Sequence, residues 1–349
     1  MKKLNMKKTI VFTMVSLLLF TCINIYKVKA DSDVITRIGG ANRYETAAMV
    51  AKKNWTSECK NVILVSGTSY ADALSATTLG KVLDAPIILS CKYYLPKETE
   101  DVLDCLQPDN VYVIGGNGVI GSNVKKKIRK SNYNLIELSG QNRFNTNIVV
   151  ANYLVNSLGV DPSEVFAVNG QEGFADALSV APIASSKSRI LLLVSRNPES
   201  AKLARNFVSY SRSNVTVIGT KFMVPEETYK MLSAKERIKG GQDRFETNLN
   251  ILERYKYDLR DDKFYVANVT NVRRSYSDPL TVSVLAGKYN SPLVLMDLVD
   301  REGTKHALEY IKQNIKTDGQ GDVIGGEGVI PDSLIRKIDH VIKNKIEIK

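Results

Sequence analysis

Short, wholly apolar runs alternate along the chain with longer stretches whose apolar residues recur at helical spacing. In the first hundred residues that follow the N-terminal segment, the apolar runs lie at 62–65, 87–89 and 111–114, and the segment 135–138 leads into the next unit. The stretches at 43–54, 71–82, 97–106 and 119–130 have helical character. Strands that are apolar on both faces and alternate with helices favour a mainly parallel sheet with helices on both sides.

This order of elements occurs three times, and four motifs mark each copy. The motifs are centred on Arg43, Arg143 and Arg244; on Asp72, Asp176 and Asp278; on the apolar runs 86–89, 190–193 and 292–295; and on the Val-Ile-Gly segments 113–115, 217–219 and 323–325. A period of about a hundred residues is far longer than a solenoid repeat, so each unit should be a small domain. We predict three tandem Rossmann-like α/β modules at 31–134, 135–235 and 236–349, with no separate effector domain.

The first thirty residues predict a secretory signal peptide. Several lysines precede an uncharged apolar run from Ile10 to Phe20, and the segment 28–30 resembles a cleavage site. The run is too short and too weakly flanked to predict a stable membrane span after processing. An uncleaved N-terminal anchor is the alternative interpretation.

Removal of this segment changes what the charge implies. The whole chain has a formal net charge of +11, which by itself suggests nucleic acid as a partner. The first thirty residues hold six lysines and no acidic residue, which leaves 42 basic and 37 acidic residues and a charge of +5. So mild an excess on an exported protein favours an anionic wall polymer over nucleic acid.

The residues that usually carry catalysis are scarce. The two histidines, His306 and His340, lie 34 residues apart in one unit, and no His-Glu-x-x-His or Gly-x-Ser-x-Gly motif occurs. Cys59, Cys91 and Cys105 all lie in the first unit, and an odd number predicts no disulfide framework. The glycines after Val-Ile lack dinucleotide-binding spacing and predict a tight strand-to-helix turn. These patterns predict a non-enzymatic binder without a metal or cofactor.

The arginine motif predicts a capped helix with an unusual first turn. Asn42 and Asp243 suit the N-cap position, and Glu45 and Glu246 complete capping boxes. An arginine in the first turn opposes the helix dipole unless an anion compensates it. That anion could be the repeated aspartate of the same or a neighbouring unit, or it could be a phosphate or carboxylate of a ligand. The two roles are compatible.

Taken together, the four motifs resemble the cell wall binding repeat 2 family of Gram-positive bacteria. The resemblance covers the chain from about Val34 to Lys349. It implies three modules around a pseudo-threefold axis that attach non-covalently to an anionic wall polysaccharide or teichoic-acid-like polymer at the cell surface. Surface-layer proteins are candidate partners. The candidate polymer-binding residues are Arg43, Thr46, Asp72, Arg143, Thr146, Asp176, Arg244, Thr247 and Asp278.

The three copies differ in detail. The second unit has Ile190 in place of proline, Thr220 in place of the second glycine, and Asn145 in place of glutamate. The third has a charged insertion at 271–274 and Pro279 in place of alanine. These differences suggest that the three sites bind unequally. The alternative function, through association with the family, is a peptidoglycan hydrolase (N-acetylmuramoyl-L-alanine amidase) or an amidase modifier.

Overall fold

A computed structural model of the protein describes residues 34–270 and 276–344. The predicted signal peptide at 1–30 and the charged insertion at 271–274 lie outside the described residues. None of the described helices has both the length and the apolar character needed to cross a membrane.

The strands and helices alternate as the sequence pattern predicts. The first repeat contains β1 (Ile35–Ile38), α1 (Arg43–Asn54), β2 (Asn61–Ser66), α2 (Tyr70–Leu74), α3 (Ala76–Val82), β3 (Ile87–Ser90), α4 (Lys97–Leu106), β4 (Asn110–Ile114) and α5 (Ser122–Lys130). The second contains β5 (Asn134–Leu138), α6 (Arg143–Asn156), β6 (Glu164–Asn169), α7 (Phe174–Ser186), β7 (Ile190–Val194), a 3₁₀ turn (Pro198–Ser200), α8 (Ala201–Ser211), β8 (Asn214–Ile218) and α9 (Glu226–Met231). The third contains β9 (Glu236–Ile238), α10 (Arg244–Arg254), a 3₁₀ turn (Lys256–Asp258), β10 (Lys263–Asn268), α11 (Ser277–Lys288), β11 (Leu293–Met296), α12 (Glu302–Asn314), β12 (Gln320–Ile324) and α13 (Asp332–Lys343).

Two helices differ from the sequence expectation. The helix expected over 71–82 is divided at Ser75, where the amide of Ser75 donates to the carbonyl of Asp72, one residue closer than in an α-helix. The helix expected from Val119 begins at Ser122 because residues 117–120 form a turn closed by amides of Val119 and Ile120 on the carbonyl of Gly116.

Three parallel sheets of four strands each form the framework of the protein. Their strand orders are β3-β2-β4-β5, β7-β6-β8-β9 and β11-β10-β12-β1. The inner strands β2, β6 and β10 are almost entirely buried, as wholly apolar runs require. The prediction of three mainly parallel, Rossmann-like modules is confirmed.

The outermost strand of each sheet comes from the next repeat. By the predicted boundaries, β5 and β9 open the second and third units, and each pairs in the sheet of the preceding unit, next to β4 or β8. The first strand, β1, completes the third sheet beside β12, with Ile38 opposite Ile324. The three modules are therefore closed into a ring by a strand from the beginning of the chain.

The central helices of the three modules meet at the pseudo-threefold axis. Every residue of α11 from Ser277 to Gly287 is buried, and α7 is buried over a comparable length. Small and hydroxyl side chains permit the close approach: Thr77 and Ser283 hydroxyls lie 3.1 Å apart in the interior. The pseudo-threefold arrangement that the resemblance implied is thus present, with a buried, partly polar axis.

At the other edge of the second and third sheets, strands β7 and β11 are covered by asparagine side chains. Asn147 of α6 donates to the carbonyl of Leu191 (2.7 Å) and accepts from the amide of Leu193 (2.9 Å). Asn248 of α10 makes the same two contacts with β11. An asparagine side chain thus occupies the hydrogen-bonding edge where a further strand could otherwise pair. In the first module Ala47 stands at this position.

Candidate functional site

The motif around each of the three repeated arginines forms the capped helix start that the sequence predicts. The Asn42 side chain accepts from the amides of Tyr44 (2.8 Å) and Glu45 (2.9 Å). The side chains of Asn142 and Asp243 accept from the corresponding amides of α6 and α10. Glu45 accepts from the amide of Ala41, one residue before the cap, so the capping box reaches one position further back than expected.

The repeated threonines point into the protein. Thr46, Thr146 and Thr247 are 1–3 % exposed. Their hydroxyls accept from the amides of Gly40 (3.1 Å), Gly140 (3.1 Å) and Gly241 (2.9 Å). Each threonine therefore holds the glycine turn against the first turn of its helix.

Each repeated aspartate lies in the first turn of a central helix and faces the arginine motif of the next module. Asp72 is paired with Thr146 and Arg143, and Asp176 with Thr247 and Arg244. Asp278 of the third module lies near Arg43 of the first, so the ring closure supplies the third pair. The sequence left open whether each arginine pairs with the aspartate of its own unit or of a neighbouring one. In the structure the aspartate belongs to the neighbouring unit.

Burial dominates the electrostatics of these carboxyl groups. The aspartates are 6–7 % exposed. Burial raises the pKa of Asp176 to about 6, although Thr247 and Arg244 act in the opposite direction. Burial likewise raises the pKa of Asp278 to about 7, opposed by Arg43 and Ser277, and raises that of Asp72.

The guanidinium groups bridge two modules. Arg43 donates to the carbonyl of Gly67 (2.6 Å), and Arg143 and Arg244 donate to the carbonyls of Gly170 (3.2 Å) and Val269 (3.0 Å). These carbonyls follow the inner strand of the arginine's own module, whereas the aspartate belongs to the preceding one. All three arginines are half-buried.

The first glycine after each Val-Ile segment is a steric requirement of the site. Gly115, Gly219 and Gly325 have φ values of +115°, +108° and +134°. A Cβ at these positions would lie 3.1, 2.9 and 3.2 Å from the Oδ2 atoms of the three aspartates. The glycine thus allows the left-handed turn and the close approach of the carboxyl group. The second glycine is not essential to this contact, which explains Thr220 in the second module.

Replacing Gly219 with alanine should therefore lower the free energy of unfolding by roughly 2–3 kcal/mol, because it combines a disfavoured φ with a clash against Asp176. Chemical denaturation measures this change. Gly118→Ala is the matched control, since a Cβ there meets nothing within 4 Å and should alter stability little. Equal losses in the two variants would contradict the proposed steric role.

These residues line three related clefts, one at each junction between modules. The cleft between the first and second modules has a volume of about 400 Å³, and the other two have volumes of about 450 Å³. Each lies at the carboxyl ends of the parallel strands: the segments after β2, β4 and β5 line the first cleft, and the equivalent segments line the other two. This is the topological switch point, where open α/β sheets bind ligands. The structure brings the arginine, threonine and aspartate of every site together across two modules.

The cleft between the second and third modules contains residues that the sequence analysis did not single out. Phe222 lines it, at the place that Gly118 and Gly328 occupy in the other two. The Arg196 guanidinium lies 3.9 Å from the centre of the Phe222 ring. Alignment of the loops after the three Val-Ile segments could have revealed Phe222, since the other two repeats have a glycine at the same position.

The histidines, cysteines and acidic residues outside the clefts are the other possible ligands or catalytic groups. Within 34–270 and 276–344, no group of three His, Cys, Asp or Glu side chains is placed to hold a metal ion. His306 and His340 are exposed, on α12 and α13. Cys59 is buried, Cys91 is half-buried and Cys105 is exposed, and all three are free thiols.

Two proteins of Bacillus subtilis are similar to this chain in sequence. N-acetylmuramoyl-L-alanine amidase LytC of Bacillus subtilis is 30 % identical over 266 residues, which cover 76 % of this chain and 51 % of the amidase. The amidase enhancer of the same organism is 32 % identical over 276 residues, which cover 78 % of this chain and 36 % of the enhancer. The chain thus spans about half, or less, of the length of these relatives.

Solved structures share the fold. Cwp6 from Clostridium difficile superposes with a TM-score of 0.77 at 24 % identity, covering 88 % of this chain and 48 % of Cwp6. Cwp8 from the same organism has a TM-score of 0.75 at 23 % identity, covering 95 % of this chain and 55 % of Cwp8.

The family comparison reproduces the threefold repeat. The family model described as cell wall binding domain 2 (CWB2) matches residues 37–125, 137–229 and 237–335, which is most of the chain. Each match contains one arginine motif, one buried aspartate and one glycine turn. The chain therefore belongs to the cell wall binding domain 2 family, as a ring of three such domains.

Proposed function

We propose that the protein is exported and binds an anionic polymer of the Gram-positive cell wall non-covalently, through the three clefts between its modules. The observation that carries this proposal is the threefold repetition of a half-buried arginine at a capped helix start, at the mouth of each cleft. Membership of the cell wall binding domain 2 family supports the wall as the target. The protein would anchor to or cover the cell surface, where surface-layer proteins are candidate partners.

The arginines are the residues best placed to contact the polymer. Each is half-buried and donates to a backbone carbonyl, and Arg43 also donates to the Tyr276 hydroxyl (3.4 Å). A guanidinium at a helix N-terminus suits a phosphate or carboxylate. The buried threonines and aspartates would act indirectly, by fixing the turn and the arginine.

The modest charge of the mature chain makes these local sites necessary. A net charge of +5 on more than 300 residues gives weak overall attraction to a polyanion. Affinity must then come from a few well-placed contacts. Repetition along one polymer would multiply weak single-site binding through effective concentration.

Substitution of all three arginines tests this function. In Arg43→Ala/Arg143→Ala/Arg244→Ala we expect the affinity of residues 31–349 for isolated Gram-positive walls to fall at least about tenfold, since each variant site loses a charge-assisted hydrogen bond. Sedimentation with walls measures binding, and its salt dependence should become shallower. Denaturation of the same variant measures any loss of stability.

A matched variant removes the same charge elsewhere. It carries Arg129→Ala, Arg205→Ala and Arg336→Ala, one exposed arginine in each module. This control should bind walls nearly as the parent does. A folded triple variant at the clefts that binds equally well would refute the role of the three arginines.

The amidase-related function is decided in the same experiment. Two relatives carry amidase names, but this chain covers only part of each. Release of amine or reducing sugar from the walls by the parent protein would favour a hydrolase. Binding without release supports the non-enzymatic function.

A further inference from the structure

The three clefts are not equivalent, and an exposed aromatic ring distinguishes one of them. Phe222, on the loop after β8, is 62 % exposed in the cleft between the second and third modules. Gly118 and Gly328 occupy its place in the other clefts, where a Cβ would meet nothing within 4 Å. The loop therefore has room for a side chain in all three modules, and only the second one uses it.

The side chain of Arg196 lies against the Phe222 ring. Arg196 stacks on Phe222 with its guanidinium carbon 3.9 Å from the ring centre. The amide of Arg196 donates to Glu172 (3.3 Å), and Glu172 accepts from Asn169 (2.8 Å) at the end of β6. This chain of contacts fixes the Arg196 loop against the cleft. Because one face of the ring is covered by the guanidinium, the large remaining exposure belongs to the other face and the edge.

The open face suits a sugar ring. The face of an aromatic ring is electron-rich, and the axial C–H groups of a pyranose carry partial positive charge, so the two stack favourably. A cleft of about 450 Å³ lies within the size range of small-ligand sites. Glu172, Gln242 and Asp243 line the same cleft and can accept or donate hydrogen bonds to sugar hydroxyls.

The charges of this cleft favour an uncharged sugar over an anionic one. Arg244 and Arg196 are offset by the carboxylates of Glu172 and Asp243. In the cleft between the first and second modules the cap residue is the neutral Asn142. The aromatic cleft therefore has less positive excess for a phosphate or carboxylate than the cleft between the first and second modules.

We propose that Phe222 is a stacking platform for an uncharged sugar ring of the wall polymer, and that the cleft between the second and third modules selects for that sugar. This inference rests on the proposed wall-binding function and assigns a distinct task to one of its three sites. The other two clefts, with glycine at this place, bind the polymer mainly through their arginines.

Substitution of Phe222 tests the platform on isolated Gram-positive walls. For Phe222→Ala in residues 31–349 we expect about tenfold weaker binding with an unchanged salt dependence, since an uncharged stacking contact is lost. Phe222→Tyr should bind as the parent does, whereas Phe222→Leu should bind as weakly as Phe222→Ala. Tyr210→Ala is the matched control, because Tyr210 is 90 % exposed in the same module and outside the clefts.

The outcomes separate this inference from the general function. If the parent does not sediment with walls, both proposals fail. If the parent binds, the triple arginine variant does not, and Phe222→Ala binds as the parent does, only the stacking proposal is overturned. Full binding by Phe222→Leu would also overturn it, because a simple apolar contact would then suffice.

Discussion

Replacing Ile38 with aspartate should lower the free energy of unfolding by roughly 3–5 kcal/mol and detach β1 from the third sheet. Ile38 is 2 % exposed and lies opposite Ile324 in the register of β1 and β12. β1 lies in the third sheet and leads into α1 of the first module, so this strand and the packing of the helices at the axis make the junction. A buried carboxylate without a partner would oppose that contact strongly.

Hydrogen exchange locates the effect. In Ile38→Asp the amides of β12 (320–324) should lose protection beyond the global change, whereas those of β8 (214–218) should follow global unfolding only. Arg37→Ala is the control: it loses an exposed ion pair with Asp332 and a bond to the Gly325 carbonyl, and should cost about 1 kcal/mol. Equal protection of β8 and β12 in Ile38→Asp would show that β1 does not close the ring as described.

The strand exchange between repeats shows what the sequence could predict and what it could not. Wholly apolar runs such as β2 and β7 are recognisable because both faces are buried. The exchanged strands β1, β5 and β9 are short and partly exposed, with little periodicity. Composition can mark such a strand, but its partner depends on tertiary packing, which local sequence does not encode.

The candidate site was predictable in its members but not in its geometry. Recurrence identified Arg143, Thr146 and Asp72, yet sequence distance could not show that they meet across a module boundary. The inward direction of Thr146 depends on the glycine turn that its hydroxyl holds. The contact of Gly115 with Asp72 lies within the first module, but it joins residues far apart in sequence and exists only once the sheet is folded.

Acidification should stabilise the folded protein through the buried aspartates. An aspartate has an ordinary pKa of 3.8, whereas burial raises the pKa of Asp176 to about 6 and that of Asp278 to about 7. Between about pH 4 and pH 7 the folded state therefore binds more protons than the unfolded state, so the free energy of unfolding falls as pH rises. The loss over this window is roughly 2 kcal/mol for Asp176 and roughly 3 kcal/mol for Asp278.

Asp278→Asn should remove the contribution of Asp278 to this slope. Its amide is neutral at every pH and retains an oxygen that can face Arg43. Between pH 5 and pH 7 the stability of the parent should change by up to about 1.4 kcal/mol per pH unit more than that of the variant. Denaturant titrations at several pH values measure both slopes.

Asp332→Asn is the control for a general effect of carboxylate removal. Asp332 is 59 % exposed on its side chain and pairs with Arg37, so its substitution removes a carboxylate at the surface and leaves the buried aspartates in place. A parent and an Asp278→Asn variant with identical slopes would mean that Arg43 keeps Asp278 ionised despite its burial. The difference matters for binding, because a protonated Asp278 leaves the charge of Arg43 free to attract an anionic polymer, whereas an ionised one cancels it.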